Sequence, residues 1–324
     1  MSDQISRLKQ VGVALGVIYG ATPASLTRGL MVKTFEANPS QDVAPVPEVH
    51  GSLGIVRVTK PPITYSPKLS FAVDVGDVLS ASIGDFLASV YGTETGTKVS
   101  LDYKHKFTLK NTGQPCFLDI WSDKDQTHKV LLSNRVQSVK FSIDGKQGLI
   151  NADVAMTAKD EASLGDQTLA FSDEPLLTPH MATVFKVGGA SVTNFESVEI
   201  TLSREQESLM FIGNSRVTGD VVSGKTFMFD IVLSGLNFAD ETERAKFKAN
   251  GSTSFELKLV DPNTNYLHFV CPEIYYKTFD GPSISDTDLL RISLAAFVTG
   301  SDTAHYIELQ NRYTKNYETG ATIV

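Results

Sequence analysis

Along residues 192–203 apolar and polar positions alternate. Val198, Ile200 and Leu202 stand against Glu199, Thr201 and Ser203, as in a strand with one buried face. Phe227, Phe229, Ile231 and Leu233 repeat the alternation, and 266–277 adds a nearly uncharged run. Earlier in the chain, 26–35, 54–60, 69–75, 99–110, 116–121, 129–133, 138–143 and 148–159 read as strands. Most are rich in β-branched and aromatic residues and bounded by turn chemistry. Helical spacing occurs at 77–90, through Leu79, Ile83, Phe86 or Leu87, and Val90. A second short helix is predicted where Asp240 precedes Glu243 by three residues, an N-cap signature. Residues 38–51, with Pro39, Pro45 and Pro47, predict a long exposed loop, and 204–215 a second loop in the corresponding place. The last residues, 315–324, are expected to be a mobile tail. The chain is therefore expected to be mainly β.

These elements run twice. A strand, a short helix and a long β-rich tail occur between Gly51 and Asp160 and again between Arg216 and Asp302. In the tails 107–110 answers to 255–258, the turn 112–114 to 261–263, and Asp144-Gly145 to Asp280-Gly281 as a hairpin turn. Residues 150–160 align without a gap on 292–302. The expected organisation is two tandem β domains, each with one short helix, at 1–165 and 181–324, joined by a linker at 166–180 that is broken by glycine and proline.

The composition, 41% hydrophobic and 20% charged, is that of a globular protein, and no run approaches transmembrane length. A net charge of −8 argues against an electrostatic grip on nucleic acid, since phosphate affinity comes from lysine and arginine. Cys116 and Cys271 are read as reduced core thiols. The apolar stretch 11–18, preceded by Arg7 and Lys9, imitates a signal peptide, but it is short and interrupted by Gly12 and Gly16.

Candidate chemistry is sparse. Residues 219–226 fit the phosphate-loop spacing, yet they run into a period-two pattern where that loop requires a helix, so a Ser223-Gly224 hairpin turn is expected instead. The six histidines show no metal-ligand spacing. Asp261-Pro262-Asn263 lacks the glycine and glutamate of a calcium loop and reads as a turn. Asn250-Gly251 reads as a helix stop. Trp121 is expected in the core of its own domain, with a subunit interface as the alternative. No catalytic, cofactor or metal site is predicted, and the protein is not expected to be an enzyme.

The opening Tyr19-Gly20-Ala21-Thr22-Pro23, and the later order of a strand at 192–202, a loop, Ile212-Gly213-Asn214-Ser215, two strands, a short helix and long strands, resemble tail tube proteins of long-tailed bacteriophages. That resemblance implies a β-sandwich or partial barrel flanked by a helix, which joins its neighbours' sheets around a central channel and forms stacked rings. It makes the segment around 11–18 an ordered arm of the subunit. With two such domains per chain, three copies would complete a pseudo-hexameric ring. Glu36, Asp42, Glu48, Arg204, Glu205 and Glu207, in the segments 36–51 and 204–215, are then the candidates for ring-to-ring contacts. The implied partners are further copies of the chain and the tape-measure, tail terminator and tail tip proteins. The acidic charge either lines the lumen, where it would repel DNA phosphate, or lies on the outer wall, where it would only keep the particle soluble; genomic DNA would pass through without specific binding, in a virion tail assembled in the host cytoplasm. The alternative is a secreted or surface two-domain β-sandwich that binds a ligand.

Overall fold

The computed structural model describes residues 9–41, 44–45, 58–59, 63–110, 114–123, 128–193, 195–209, 220–236, 241–284, 290–299 and 304–324. It is built almost wholly of antiparallel strands. The first half runs β1 (Lys9–Leu15), β2 (Gly29–Val32) and β3 (Thr34–Glu36), followed by two small ribbons. One ribbon pairs β4 (Pro39–Ser40) with β7 (Thr64–Tyr65), and the other pairs β5 (Ala44–Pro45) with β6 (Val58–Thr59). Then come β8 (Lys68–Ala72), α1 (Ile83–Tyr91), β9 (Gly92–Val99), β10 (Asp102–Leu109), β11 (Leu118–Ser122), β12 (Lys129–Asp144), β13 (Asn151–Thr157) and β14 (Asp160–Ser163). The second half runs β15 (Ala182–Val187), β16 (Ala190–Ser191), β17 (Phe195–Leu209), β18 (Asp220–Leu236), α2 (Glu241–Lys248), β19 (Thr253–Val260), β20 (Tyr266–Ile284), β21 (Leu290–Val298) and β22 (Tyr306–Asn311).

The two halves share one pairing scheme. In the first, β3 pairs β8, β8 pairs β13, and β13 pairs the far part of β12, while the near part of β12 pairs β11 and β14 and β11 pairs β1. In the second, β17, β18, β21, β20, β19, β22 and β15 repeat those connections in the same order. Even an irregularity is repeated. Between Val136 and Ser138 the register against Met156 and Ala155 shifts, and between Tyr276 and Thr278 it shifts against Ala296 and Ala295. The equivalence of β13 and β21 is therefore two residues from the alignment expected from sequence, an even slip that keeps every side chain on its face.

Two expectations about the tails are corrected. Residues 107–110 lie in the β9–β10 hairpin, which has no counterpart in the second half; β19, with Phe255, corresponds to β11. Asp280-Gly281 is not a turn but lies inside β20, whereas Asp144 does end its strand, with Gly145 bonded to the Glu196 carbonyl at 2.8 Å. Thr112 and Gly113 lie outside the described residues.

Helix α1 begins later than its spacing predicts. Ser82 caps it, accepting from Gly84 N at 3.2 Å, while the Asp85 carboxylate accepts from Ser82 N at 2.9 Å. Asp77 instead forms a local turn with the amides of Leu79 and Ser80. Gly92, at φ 90°, ends the helix in the left-handed conformation that favours glycine. All nine helical residues are buried, and Phe86 meets Phe71 of β8 with ring centroids 5.5 Å apart. In α2 the predicted cap Asp240 lies outside the described residues. Asn250, at φ 51°, ends that helix as expected, with Gly251 N bonded to the Lys246 carbonyl at 2.7 Å.

One core runs through both halves, and Phe141 of β12 meets Phe269 of β20 edge to face at 5.2 Å. Val11 and Val13 of β1 are wholly buried, so the first part of the stretch that imitates a signal peptide is a core strand, while Val17 and Ile18 beyond it are exposed. Trp121 packs with Leu26, Val130 and Leu132, and its indole N–H donates to the Leu164 carbonyl at 3.2 Å. The predicted linker is also packed, since Leu177 is wholly buried and Gly29 N bonds to the Ala170 carbonyl.

The expected mobile tail is an ordered strap. Tyr317 is 2% exposed, and its hydroxyl meets Ser82 Oγ and Asn311 Nδ2, each at 2.9 Å. Tyr317 N donates to Glu94 Oε2, whose other oxygen meets His105 Nδ1 at 2.6 Å. His105 Nε2 in turn reaches the Tyr313 carbonyl at 3.1 Å. Position 84 admits only glycine, because a Cβ there would lie 2.5 Å from the Tyr317 ring.

Candidate functional site

The two halves are joined by continuous sheet. Far β12 pairs with β17 in seven register pairs, from Ser138 opposite Ser203 to Asp144 opposite Ser197. This gives an eight-stranded run in the order β3, β8, β13, β12, β17, β18, β21, β20. At its ends, the outer edge of β3 and the outer edge of far β20 pair with no strand among the described residues. By the internal repeat, β20 is the counterpart of β12, and β3 is the counterpart of β17. The two open edges are thus the same two edges that meet inside the chain. Glu36 stands opposite Lys68 as Glu199 stands opposite Val232, and Ser283 stands opposite Arg291 as Ser142 stands opposite Asn151.

A second joint reinforces the first. The extra β9–β10 hairpin pairs with β22, from Tyr103 opposite Asn311 to Phe107 opposite Ile307. Tyr19, from the phrase that suggested the phage resemblance, accepts from Val221 N at 2.5 Å and so bridges the halves. Its ring lies under Lys159 Nζ at 4.4 Å and edge-on to Phe117.

The sequence-predicted contact residues fall in different settings. Asp42 and Glu48 lie outside the described residues. Glu36 is in β3, exposed on the open edge strand. The loop expected at 204–215 is corrected over 204–209, which is the end of β17 paired with β18; 210–215 lie outside the described residues. Glu205 and Glu207 are exposed there, but Arg204 is 4% exposed. Its Nη1 donates to the carbonyls of Val90 at 3.3 Å and Tyr91 at 3.1 Å, Nη2 to Lys110 at 3.1 Å, and Nε to Gly224 at 2.9 Å. A second-half arginine thereby binds carbonyls at the end of the first-half helix, of which that of Tyr91 also accepts from Lys110 N at 2.9 Å. Burial, and then the nearby Arg135, lower its pKa. Nothing local in the sequence marks this role, because the partners lie 94 to 114 residues away for three of the four bonds.

The phosphate-loop match is also resolved. Residues 220–236 are one strand, so no helix follows the glycines, and the expected Ser223-Gly224 turn is corrected as well. Arg204 stands opposite Phe227 and Gln206 opposite Ser223, which leaves 224–226 as a bulge. Asp261 does make the predicted turn, its Oδ1 accepting from Asn263 N at 2.8 Å and Asn265 N at 2.9 Å.

Among the described residues no group of three or more His, Cys, Asp or Glu is arranged to hold a metal ion, and no helix is long and apolar enough to cross a membrane. Both cysteines are free thiols, with burial pushing Cys116 up to about 12 and Cys271 higher still. A cleft of about 390 Å³ beside β2 is lined by Met31, Leu176 and Asp74, whose carboxyl burial raises to about 7 against the hydrogen bonds from Gly76 and Ser172.

No curated protein matches the chain. The profile of a family described as "Phage tail tube protein" matches residues 7–302. That span takes in β1 to β21, the joint between β12 and β17 and the open strand β3, and ends before β22. The chain belongs to the phage tail tube protein family.

Proposed function

We propose that this chain is the repeating subunit of a tail tube, with 1–165 and 181–324 as tandem modules, and that three copies close into a pseudo-hexameric ring. The observation that carries the proposal is the joint between β12 and β17. What the chain does once internally, its open β20 and β3 edges can do between copies, and a closed rotation of such heterologous contacts gives a ring. With backbone hydrogen bonds worth about 1 kcal/mol net each, a joint of this length is held chiefly by the apolar face that it continues. Glu36 then belongs to the joint within a ring, while Glu205 and Glu207, with Asp42 and Glu48, are the proposed contacts between stacked rings. The tube serves as the conduit for DNA ejection, has no enzymatic role, and meets tape-measure, terminator and tip proteins in a tail assembled in the host cytoplasm.

The test is a pair of cysteine variants. Ser142→Cys with Glu199→Cys should give a disulfide within one chain, and Glu36→Cys with Ser283→Cys its counterpart between chains. On oxidation of assembled protein the second pair should yield covalent trimers on a reducing-versus-nonreducing gel. Cross-linking only within single chains would overturn the proposal.

A further inference from the structure

The segment that follows β14 is pinned to the first half at two places. Gly29 N donates to the Ala170 carbonyl and Leu177 N to that of Val73, each at 2.7 Å. Between these pins, Ser172, Asp173, Glu174 and Leu176 form one wall of the cleft of about 390 Å³, facing β2 and the end of β8. Met31, Ala72, Ala81, Leu149 and Leu176 make its surface largely apolar. Met31 is 51% exposed and Leu176 41% exposed, so the fold leaves two large apolar side chains of the lining uncovered.

The charge at the cleft is mostly of one sign. Asp74, Asp173 and Glu174 line it, and Asp77 acts on Asp74 from nearby. Lys33 is the cation in the lining, and its ammonium is bonded to Asn151. Glu174 accepts from Asn263 Nδ2 at 2.8 Å, and Asp74 from Gly76 N and the Ser172 hydroxyl, all neutral donors. Among the described residues none of the four carboxylates is in an ion pair. Burial raises the Asp74 carboxyl to about 7; the two hydrogen bonds oppose the shift, and the charges of Asp77 and Glu174 add to it. A bare metal ion does not suit the site, because among the described residues no group of three or more His, Cys, Asp or Glu is arranged to hold one. A cation carried on an unbranched apolar chain suits both features, since its methylenes leave water for the apolar wall while its charge meets the carboxylates. We propose that the cleft binds a linear aliphatic diamine, with one ammonium at Asp74, the other at Asp173 and Glu174, and the methylene chain against Met31 and Leu176. The site belongs to a single subunit and stands whether or not copies close into a ring.

The test is calorimetric titration of the purified chain with 1,4-diaminobutane, repeated with 1,4-butanediol and with magnesium chloride. The diamine should bind saturably, and the diol, which has the chain without the charge, should not. Magnesium at the same concentration should leave the diamine bound. An acid titrating at about 7 is about 3% ionised at about pH 5.5 and about 90% ionised at about pH 8, so affinity should rise by about tenfold or more between them. Asp74→Asn should weaken binding by about tenfold at about pH 8 and flatten that pH dependence. Met31→Arg, at an exposed position, places a tethered cation at the cleft and should abolish binding while leaving the melting temperature near that of the parent. Absence of saturable binding by the parent at millimolar diamine, equal binding of the diol, full displacement by magnesium, or unchanged affinity in both variants would each overturn the proposal.

Discussion

The sharpest stability prediction concerns Asp85. Arg28 reaches it with two bonds, Nη1 to Oδ1 at 2.6 Å and Nη2 to Oδ2 at 2.9 Å, and donates through Nε to the Ser80 carbonyl at 3.0 Å. The guanidinium lies over the Tyr313 ring at 4.4 Å and near that of Tyr317 at 5.7 Å. Burial alone would lower the Arg28 pKa, but Asp85 and the two tyrosines outweigh it and hold it above its ordinary value. The Asp85 side chain is 1% exposed and that of Arg28 is 15% exposed. Asp85→Asn keeps the shape, removes the charge, and leaves a nearly buried cation uncompensated, which costs about 3–5 kcal/mol. Because Arg28 keeps some solvent, the lower end applies, about 3 kcal/mol or a fall of about 4 °C in melting temperature for a chain of this size. Urea and thermal unfolding of Asp85→Asn, Arg28→Met and the double variant form a cycle. The double variant should be at least about 1.5 kcal/mol less destabilised than the sum of the singles. A single variant within about 0.5 kcal/mol of the parent, or additive losses, would refute the reasoning.

Burial holds Asp74 at about 7 and Asp119 at about 6, both above an unfolded carboxyl near about 4, so the folded chain keeps protons that the unfolded chain has lost. Stability should therefore fall as pH rises from about 4 to about 7 at these sites, and Asp74→Asn with Asp119→Asn should flatten that decline in urea midpoints. Gly92→Ala, at φ 90° and with its new Cβ 2.8 Å from Lys110 Cβ, should cost more than about 1 kcal/mol and show as a lower melting temperature. Tyr317→Phe should lose about 1 kcal/mol and speed hydrogen exchange in α1, since its hydroxyl serves both the helix cap and Asn311. Titration with a nucleoside triphosphate and magnesium should give no thermal shift, because 220–236 is strand; a saturable shift would contradict this.

The sequence carried the period-two strands plainly, because each β position answers to burial on one face, as Val198, Ile200 and Leu202 do. It also carried the repeat, but not its register. The β9–β10 hairpin contains Phe107-Thr108-Leu109-Lys110, a local imitation of Phe255-Glu256-Leu257-Lys258, and only the pairing partners separate the two. The tail misled for a related reason. Tyr313 and Tyr317 look like exposed aromatics until Arg28 and Ser82, more than 230 residues away for the latter, close over them. Arg204 read as a loop charge because its acceptors are helix-end carbonyls, which have no sequence signature. The open edges were not legible at all, since an unpaired strand looks like a paired one until the whole sheet is traced.

The central claim is that an internal joint is repeated between copies. Electron microscopy of the purified chain, with subunits counted per ring, tests it most directly. The account predicts rings or tubes in which three copies supply six similar modules around a hollow axis. Six copies per ring, or particles that stay monomeric at every concentration, would contradict it.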